Sequence, residues 1–225
     1  MHVIIDQELP LDEIVFADTG AEKPDTYAYL EKWIKPFLSD MGVRFVTVRA
    51  KETLLERCLR GHTIPDRRYR WSTRDYKIRP IYKHLKAYAP VVCYLGIAFD
   101  EIHRVKQENS VSWILRDWPL IDRKMNRADC VKLIESKGWP VPVKSGCWFC
   151  PFSSLADWNR LWKSQPDLYE KAVAIEKNGS KYPRFTLVEG GLERLRDRFV
   201  REEKAAREQS SLDLYQDECS GYCFT

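Results

Sequence analysis

The chain has 225 residues, 44% of them hydrophobic and 31% charged, with a formal net charge of +4. That length suits one domain, or one domain with an appendage, around a real core, and the composition excludes a disordered chain. No run of about 18 apolar residues occurs, so no membrane span is expected.

The N-terminal MHVIIDQELPLDEIVF lacks a basic leader ahead of a long apolar run, so it does not read as a signal peptide. The expected compartment is the cytoplasm. There the seven cysteines would serve as ligands, nucleophiles or core filler rather than as disulfides.

Apolar runs and helical patterns alternate from the start. EIVFADTG (13–20) reads as a short strand ending in a polar turn with glycine. A helix follows, with Pro24 near its start and Tyr27, Leu30, Ile34, Phe37 and Leu38 at spacings of three and four. VRFVTV (43–48) reads as a second strand and KETLLERCLR as a second helix. IRPIYKHLKAY reads as a helix running into Pro90. VVCYLGI (91–97) and SVSWIL (110–115) read as further strands.

This alternation predicts an α/β fold, a doubly wound and mostly parallel sheet with helices on both faces. Ligands in such sheets bind beyond the carboxyl ends of the strands, where ADTG and GIAFDE fall. After Pro151 the pattern becomes helical: SSLADWNRLWKSQPDLYEKAVAIEKN suggests two helices and GLERLRDRFVREEKAAREQ a charged third. The expected division is an α/β core over 1–152 and a helical C-terminal extension over 153–225.

Two stretches carry chemistry on composition and spacing alone. Residues 60–86 hold nine lysines and arginines against only Asp66 and Asp75, with Tyr69, Trp71 and Tyr76 interleaved. That pattern suits a polyanion, a nucleic acid or nucleoprotein partner, or a phosphorylated or sulfated small molecule. It equally suits a solvated surface. In SGCWFCPF, Cys147 and Cys150 form a C-x-x-C pair, and Cys130 lies upstream on a predicted helix. Three thiolates suit zinc or an iron–sulfur cluster, both of which prefer sulfur to oxygen, and inert core thiols fit the same spacing. Cys93, inside an apolar strand, reads as core filler.

The ordered series VFADTGAEKPDTY, STRDYKIRPI, GIAFDEIHR, WPLID…MNRADC and SGCWFCPF resembles the phosphoadenosine phosphosulfate (PAPS) reductase-like family of adenine nucleotide alpha hydrolases, above all its phage- and plasmid-borne branch. The resemblance implies an adenine nucleotide ligand, ATP or a PAPS-like sulfonucleotide. The reactions it implies are ATP pyrophosphatase or adenylation chemistry, or sulfonucleotide reduction. It places Asp18, Thr19 and Gly20 beside the nucleotide, and Gly96, Ile97, Asp100, Glu101 and Arg104 in a second site loop. It directs Arg74, Lys77 and Arg79 to phosphate or sulfate. It also implies a [4Fe–4S] or zinc site at Cys130, Cys147 and Cys150, with Ser72 standing where relatives carry a fourth cysteine. By placement in the tail, Cys219 and Cys223 are the candidate catalytic thiols.

Two departures temper the implied activity. No serine–glycine-rich phosphate loop precedes ADTG, and MHVIIDQELPLDE reads like the second half of a first helix, as though the chain began at an internal methionine. Backbone amides and a helix N-terminus hold phosphate in such loops, so weak or absent hydrolysis is expected of these residues by themselves. Serine at position 72 is also a harder, barely acidic donor. The rival reading is a non-catalytic nucleotide- or nucleic-acid-binding accessory of a mobile-element or defence assembly. A third is a small-molecule reductase using Cys219 and Cys223.

Overall fold

Two prolines explain the least regular feature of the fold. Helix α2 (Pro24–Tyr29) passes through a widened π-type turn (Leu30–Ile34) into α3 (Lys35–Asp40), and Pro36 sits in the first turn of α3. A second π-type turn (Arg74–Ile78) follows the short α5 (Trp71–Thr73) and enters α6 (Arg79–Leu85), with Pro80 in the equivalent place. A proline inside a helix lacks an N–H and crowds the carbonyl four residues earlier. The wide turn relieves both problems without ending the helix.

The computed structural model describes residues 1–105, 111–179 and 186–219, with side chains to 209. They belong to two compact units, Met1–Leu55 with Trp71–Cys147, and Glu56–Arg70 with Trp148–Thr225. Parallel strands and helices make up the first unit, and the C-terminal part is helical, so the α/β class and the helical C-terminal part are as the sequence implies.

In the first unit α1 (His2–Asp6) precedes β1 (Glu13–Ala17), which pairs in parallel with β2 (Arg44–Val48), Val15 opposite Val46. A second parallel pair joins β3 (Val91–Tyr94) and β4 (Ile114–Asp117), Cys93 opposite Arg116. Alternation along a strand sorts the faces. Glu13 meets His84 of α6 at 2.7 Å, whereas Phe16 and Phe45 stack on the other face, where Phe16 also meets Tyr27 of α2. Helices therefore cover both faces of β1–β2.

On β3–β4 the Arg116 guanidinium donates to the Tyr82 hydroxyl of α6 at 2.8 Å. The opposite face carries Val92 and Leu115, a register pair that is exposed. Ser110 of the SVSWIL run lies outside the described residues, and the strand begins at Ile114. Ahead of it the Ile114 N–H reaches the Val111 carbonyl in a turn, and Trp113 packs on Tyr82.

Trp139 gathers His2, Trp33 and Phe37 with ring centroids 4.8–5.6 Å apart; such pairs contribute about 0.5–1.5 kcal/mol beyond area burial. Helix α7 (Pro119–Asp122) leads to α8 (Arg127–Ser136), which opens on a capping box between Asn126 and Asp129.

Helix α4 (Leu54–Gly61) runs from the first unit into the second. The second unit adds α9 (Leu155–Ser164), α10 (Pro166–Gly179) and α11 (Leu192–Cys219) around Trp158, Tyr169, Leu192 and Phe199. Ser154 and Asp157 cap α9 reciprocally. The buried Glu176 carboxylate accepts the Leu187 and Leu192 N–H groups, which satisfies the start of α11. Among the described residues no helix is long and apolar enough to cross a membrane.

Candidate functional site

β1 ends in the buried Ala17, and the chain turns through Asp18, Thr19 and Gly20 at the carboxyl end of the strand. Gly20 has φ +71°, and a Cβ there would stand 2.5 Å from Thr53 Cγ2, so conformation and space both require glycine. Asp18 Oδ1 accepts the Gly20 N–H at 2.8 Å and the Tyr27 hydroxyl at 2.6 Å. Asp18 Oδ2 accepts both Nε (2.9 Å) and Nη2 (2.5 Å) of Arg49. Burial pushes the Asp18 carboxyl up, but these donors outweigh it and hold it below its ordinary value. Tyr27 is pushed up by burial and by donating to that carboxylate.

Thr19 continues the closure. Its hydroxyl donates to Glu22 Oε1 at 3.1 Å and accepts the Ala21 N–H at 3.2 Å, and its carbonyl accepts the Leu54 N–H that starts α4. Glu22, whose side chain is 1% exposed, pairs with Lys77 at 3.0 Å; Lys77 is 39% exposed. Since Lys77 lies on the second π-type turn, Pro80 and the turn it induces set which way this lysine faces. The ADTGAE loop and the RDYKIRP segment thus meet through an ion pair whose carboxylate is buried and whose ammonium is partly exposed. The other two cations expected at phosphate share one carboxylate, Arg74 and Arg79 both pairing with Asp75 at 2.8 and 2.9 Å. All three carry a protein partner here.

The second expected loop follows β3. The Leu95 N–H reaches the Asp117 carbonyl, and the chain passes Gly96 and Ile97 into a 3₁₀ turn (Phe99–Arg104). A Cβ at Gly96 would meet nothing within 4 Å. Asp100 is exposed, and Glu101 accepts from Arg104 at 2.7 Å on the surface. Among the described residues no hydrogen bond or ion pair joins 96–104 to 18–22.

Cys147 is buried, its backbone forms a bridge with Glu22, and its sulfur lies 3.3 Å from Thr19 Oγ1 and 3.8 Å from Glu22 Oε1. Cys130 is half-buried on α8, and burial, then Asp129 and Asp100, push its thiol up. Ser72 is half-buried on α5, and Cys150, also half-buried, belongs to the second unit. Among the described residues no three His, Cys, Asp or Glu side chains stand together as a metal site. A cluster or zinc centre at Cys130, Cys147 and Cys150 is an expectation from the family resemblance that this arrangement leaves unsupported. Cys93 is half-buried with its thiol pushed up by burial. Cys223 lies outside the described residues, as does the side chain of Cys219.

Three side chains of this site were not among the sequence candidates: Tyr27, Arg49 and Glu22. Glu22 stands in the ADTGAE motif, and Arg49 directly follows β2, so position gave a signal for both. Nothing local marked Tyr27, which looks like one more apolar-face residue of α2.

The loop lies at the carboxyl end of a parallel strand, where α/β proteins commonly hold their ligands. The phosphoadenosine phosphosulfate reductase domain matches residues 1–128, more than half of the chain, and the chain belongs to that nucleotide-utilizing family.

Two relatives from Methanocaldococcus jannaschii resemble it at lower identity. Uncharacterized protein MJ0973 is 23% identical over 180 residues, covering 73% of this chain and 41% of that protein. Uncharacterized protein MJ0066 is 28% identical over 178 residues, covering 71% and 35%. The chain spans less than half the length of either relative.

Proposed function

We propose that the 18–22 loop and the 74–79 segment form an adenine nucleotide site serving adenylation-type chemistry. In that chemistry an acceptor oxygen attacks the α-phosphorus of ATP, and pyrophosphate leaves with the electrons of the broken bond. The observation that carries this reading is the Glu22–Lys77 ion pair at 3.0 Å, which fastens a cation-bearing turn to the loop at the end of β1. Arg49 supports it. Its guanidinium is fixed by two hydrogen bonds to Asp18 yet its side chain is 67% exposed, so it is already oriented and has donors left for a phosphate.

Calorimetric titration with ATP and with PAPS, beside a pyrophosphate-release assay, tests the reading. ATP should bind, and Arg49→Ala should weaken it about tenfold, as expected for one charge-assisted contact of about 1.5–3 kcal/mol. Pyrophosphate release should depend on ATP and fall in Arg49→Ala in step with the lost binding. Binding of neither nucleotide, or unchanged affinity in Arg49→Ala, would remove this site from consideration.

A further inference from the structure

The second unit holds a cationic surface that the nucleotide reading does not use. In the loop after α4, Asp66 Oδ1 accepts the N–H groups of Arg68 (2.6 Å) and Tyr69 (3.0 Å), and the Arg70 N–H reaches the Asp66 carbonyl. The one acid of the loop is therefore spent on its own backbone. The tight turn turns the neighbouring side chains outward: Tyr69 is 71% exposed, and Arg67, Arg68 and Arg70 are exposed. Arg70 holds φ +48°, a left-handed conformation that costs a residue with a side chain about 1–2 kcal/mol.

Arg67 Nε donates to the Pro151 carbonyl, and the guanidinium groups of Arg67 and Arg70 lie 6.0 and 5.5 Å from the ring of Phe152, itself 45% exposed. Among the described residues no carboxylate pairs with Arg67, Arg68 or Arg70. Beside them opens a groove of about 450 Å³, lined by Ile64, Pro65, Asp66, Arg67, Arg68, Pro151 and Thr186.

We propose that this loop and groove bind single-stranded nucleic acid, with Arg68 and Arg70 meeting phosphates and Tyr69 offering a base a stacking face. Uncompensated cations alone would take any polyanion. Exposed aromatic rings among them add the flat surface that unpaired bases, and few other anions, can use. The groove is also large enough for one nucleotide unit. A free nucleotide presents the same chemistry, so the test separates the two sources.

The whole chain is titrated by fluorescence anisotropy against a labelled oligothymidylate of about twelve nucleotides, within the usual single-strand site sizes. An abasic phosphodiester strand of equal length and thymidine monophosphate serve as comparison ligands. Oligothymidylate should bind at least fivefold more tightly than the abasic strand, and Tyr69→Ala should erase that difference. Arg68→Ala should weaken both strands and make the log–log salt dependence shallower by about 0.7.

Competition by thymidine monophosphate at equal nucleotide concentration supports the same site with a free nucleotide as its natural ligand. Competition by oligothymidylate alone supports a strand. Equal wild-type affinity for the two strands, or unchanged binding in Arg68→Ala/Tyr69→Ala with unchanged circular dichroism, overturns the proposal. The same double variant should leave the Arg49-dependent part of ATP binding as in the parent chain, so failure of this surface and failure of the nucleotide site are read separately.

Discussion

The carboxyl ends of β1 and β3 solve the same geometric problem in opposite ways. After β1 the chain turns through residues whose polar atoms are almost all used within the loop and its neighbours: Asp18 by Gly20, Tyr27 and Arg49, Thr19 by Glu22 and Ala21, Glu22 by Lys77. After β3 the chain turns through Gly96, Ile97 and an exposed 3₁₀ segment whose one side-chain pair, Glu101–Arg104, is on the surface. The first end is built to hold one shape before any ligand arrives. The second leaves its conformation to weaker contacts. Preorganisation of this sort reduces the ordering cost on binding, which is why the first loop carries the proposed site.

The sharpest way to break this comparison is to place the same methyl group in both loops. Gly20→Ala sets a Cβ 2.5 Å from Thr53 and asks for a positive φ, so it should lower unfolding free energy by about 2–4 kcal/mol. Gly96→Ala meets open space and should stay within about 0.5 kcal/mol of the parent. Urea denaturation of the two variants measures both. Equal losses would mean that the loops are held alike.

A smaller effect is expected from the ion pairs. Lys77→Met leaves the buried Glu22 carboxylate without its cation. A fully buried pair broken in this way costs about 3–5 kcal/mol, and the partial exposure of Lys77 reduces that to about 1–3 kcal/mol. Glu101→Gln removes a surface pair and should cost about 0–1 kcal/mol. If the two variants melt together, the Glu22–Lys77 contact does not fasten the turn to the loop.

Much of this was legible in the sequence where the signal is local. Short apolar runs before ADTG and in VRFVTV mark β1 and β2, and the three- and four-residue spacings after Pro24 mark α2 and α3. The motifs pointed to the family through their order along the chain. The partners inside the site were harder to see. Tyr27 reaches Asp18 only because α2 folds back over β1, and Arg49 reaches it only because β2 pairs in one particular register. The π-type turn that aims Lys77 at Glu22 depends on where a helix absorbs Pro80, which residue periodicity does not encode. Charge density in 60–86 does not separate paired cations from unpaired ones: Arg74, Lys77 and Arg79 carry carboxylate partners and Arg67, Arg68 and Arg70 carry none among the described residues.

The smallest effect should appear in the acid limb of stability. Burial opposes the charged form of Asp18, and the donors from Tyr27, Gly20 and Arg49 overcome it, so its folded-state value lies below the ordinary one of 3.8. A depressed carboxyl stabilises the fold fully above its unfolded value, and that contribution is lost as pH falls through the folded value. Between neutral pH and about pH 5 no loss is therefore expected from this group, and below about pH 4 the parent chain should lose stability more steeply than Asp18→Asn. The exposure of Arg49 keeps the difference modest, because solvent screens that part of the attraction. Urea midpoints measured from pH 7 down to about pH 3 would show the two curves converging as Asp18 becomes protonated. Parallel curves across the whole range would mean that Asp18 titrates alike in the folded and unfolded chain, and that the hydrogen bonds drawn to it do not favour its charge.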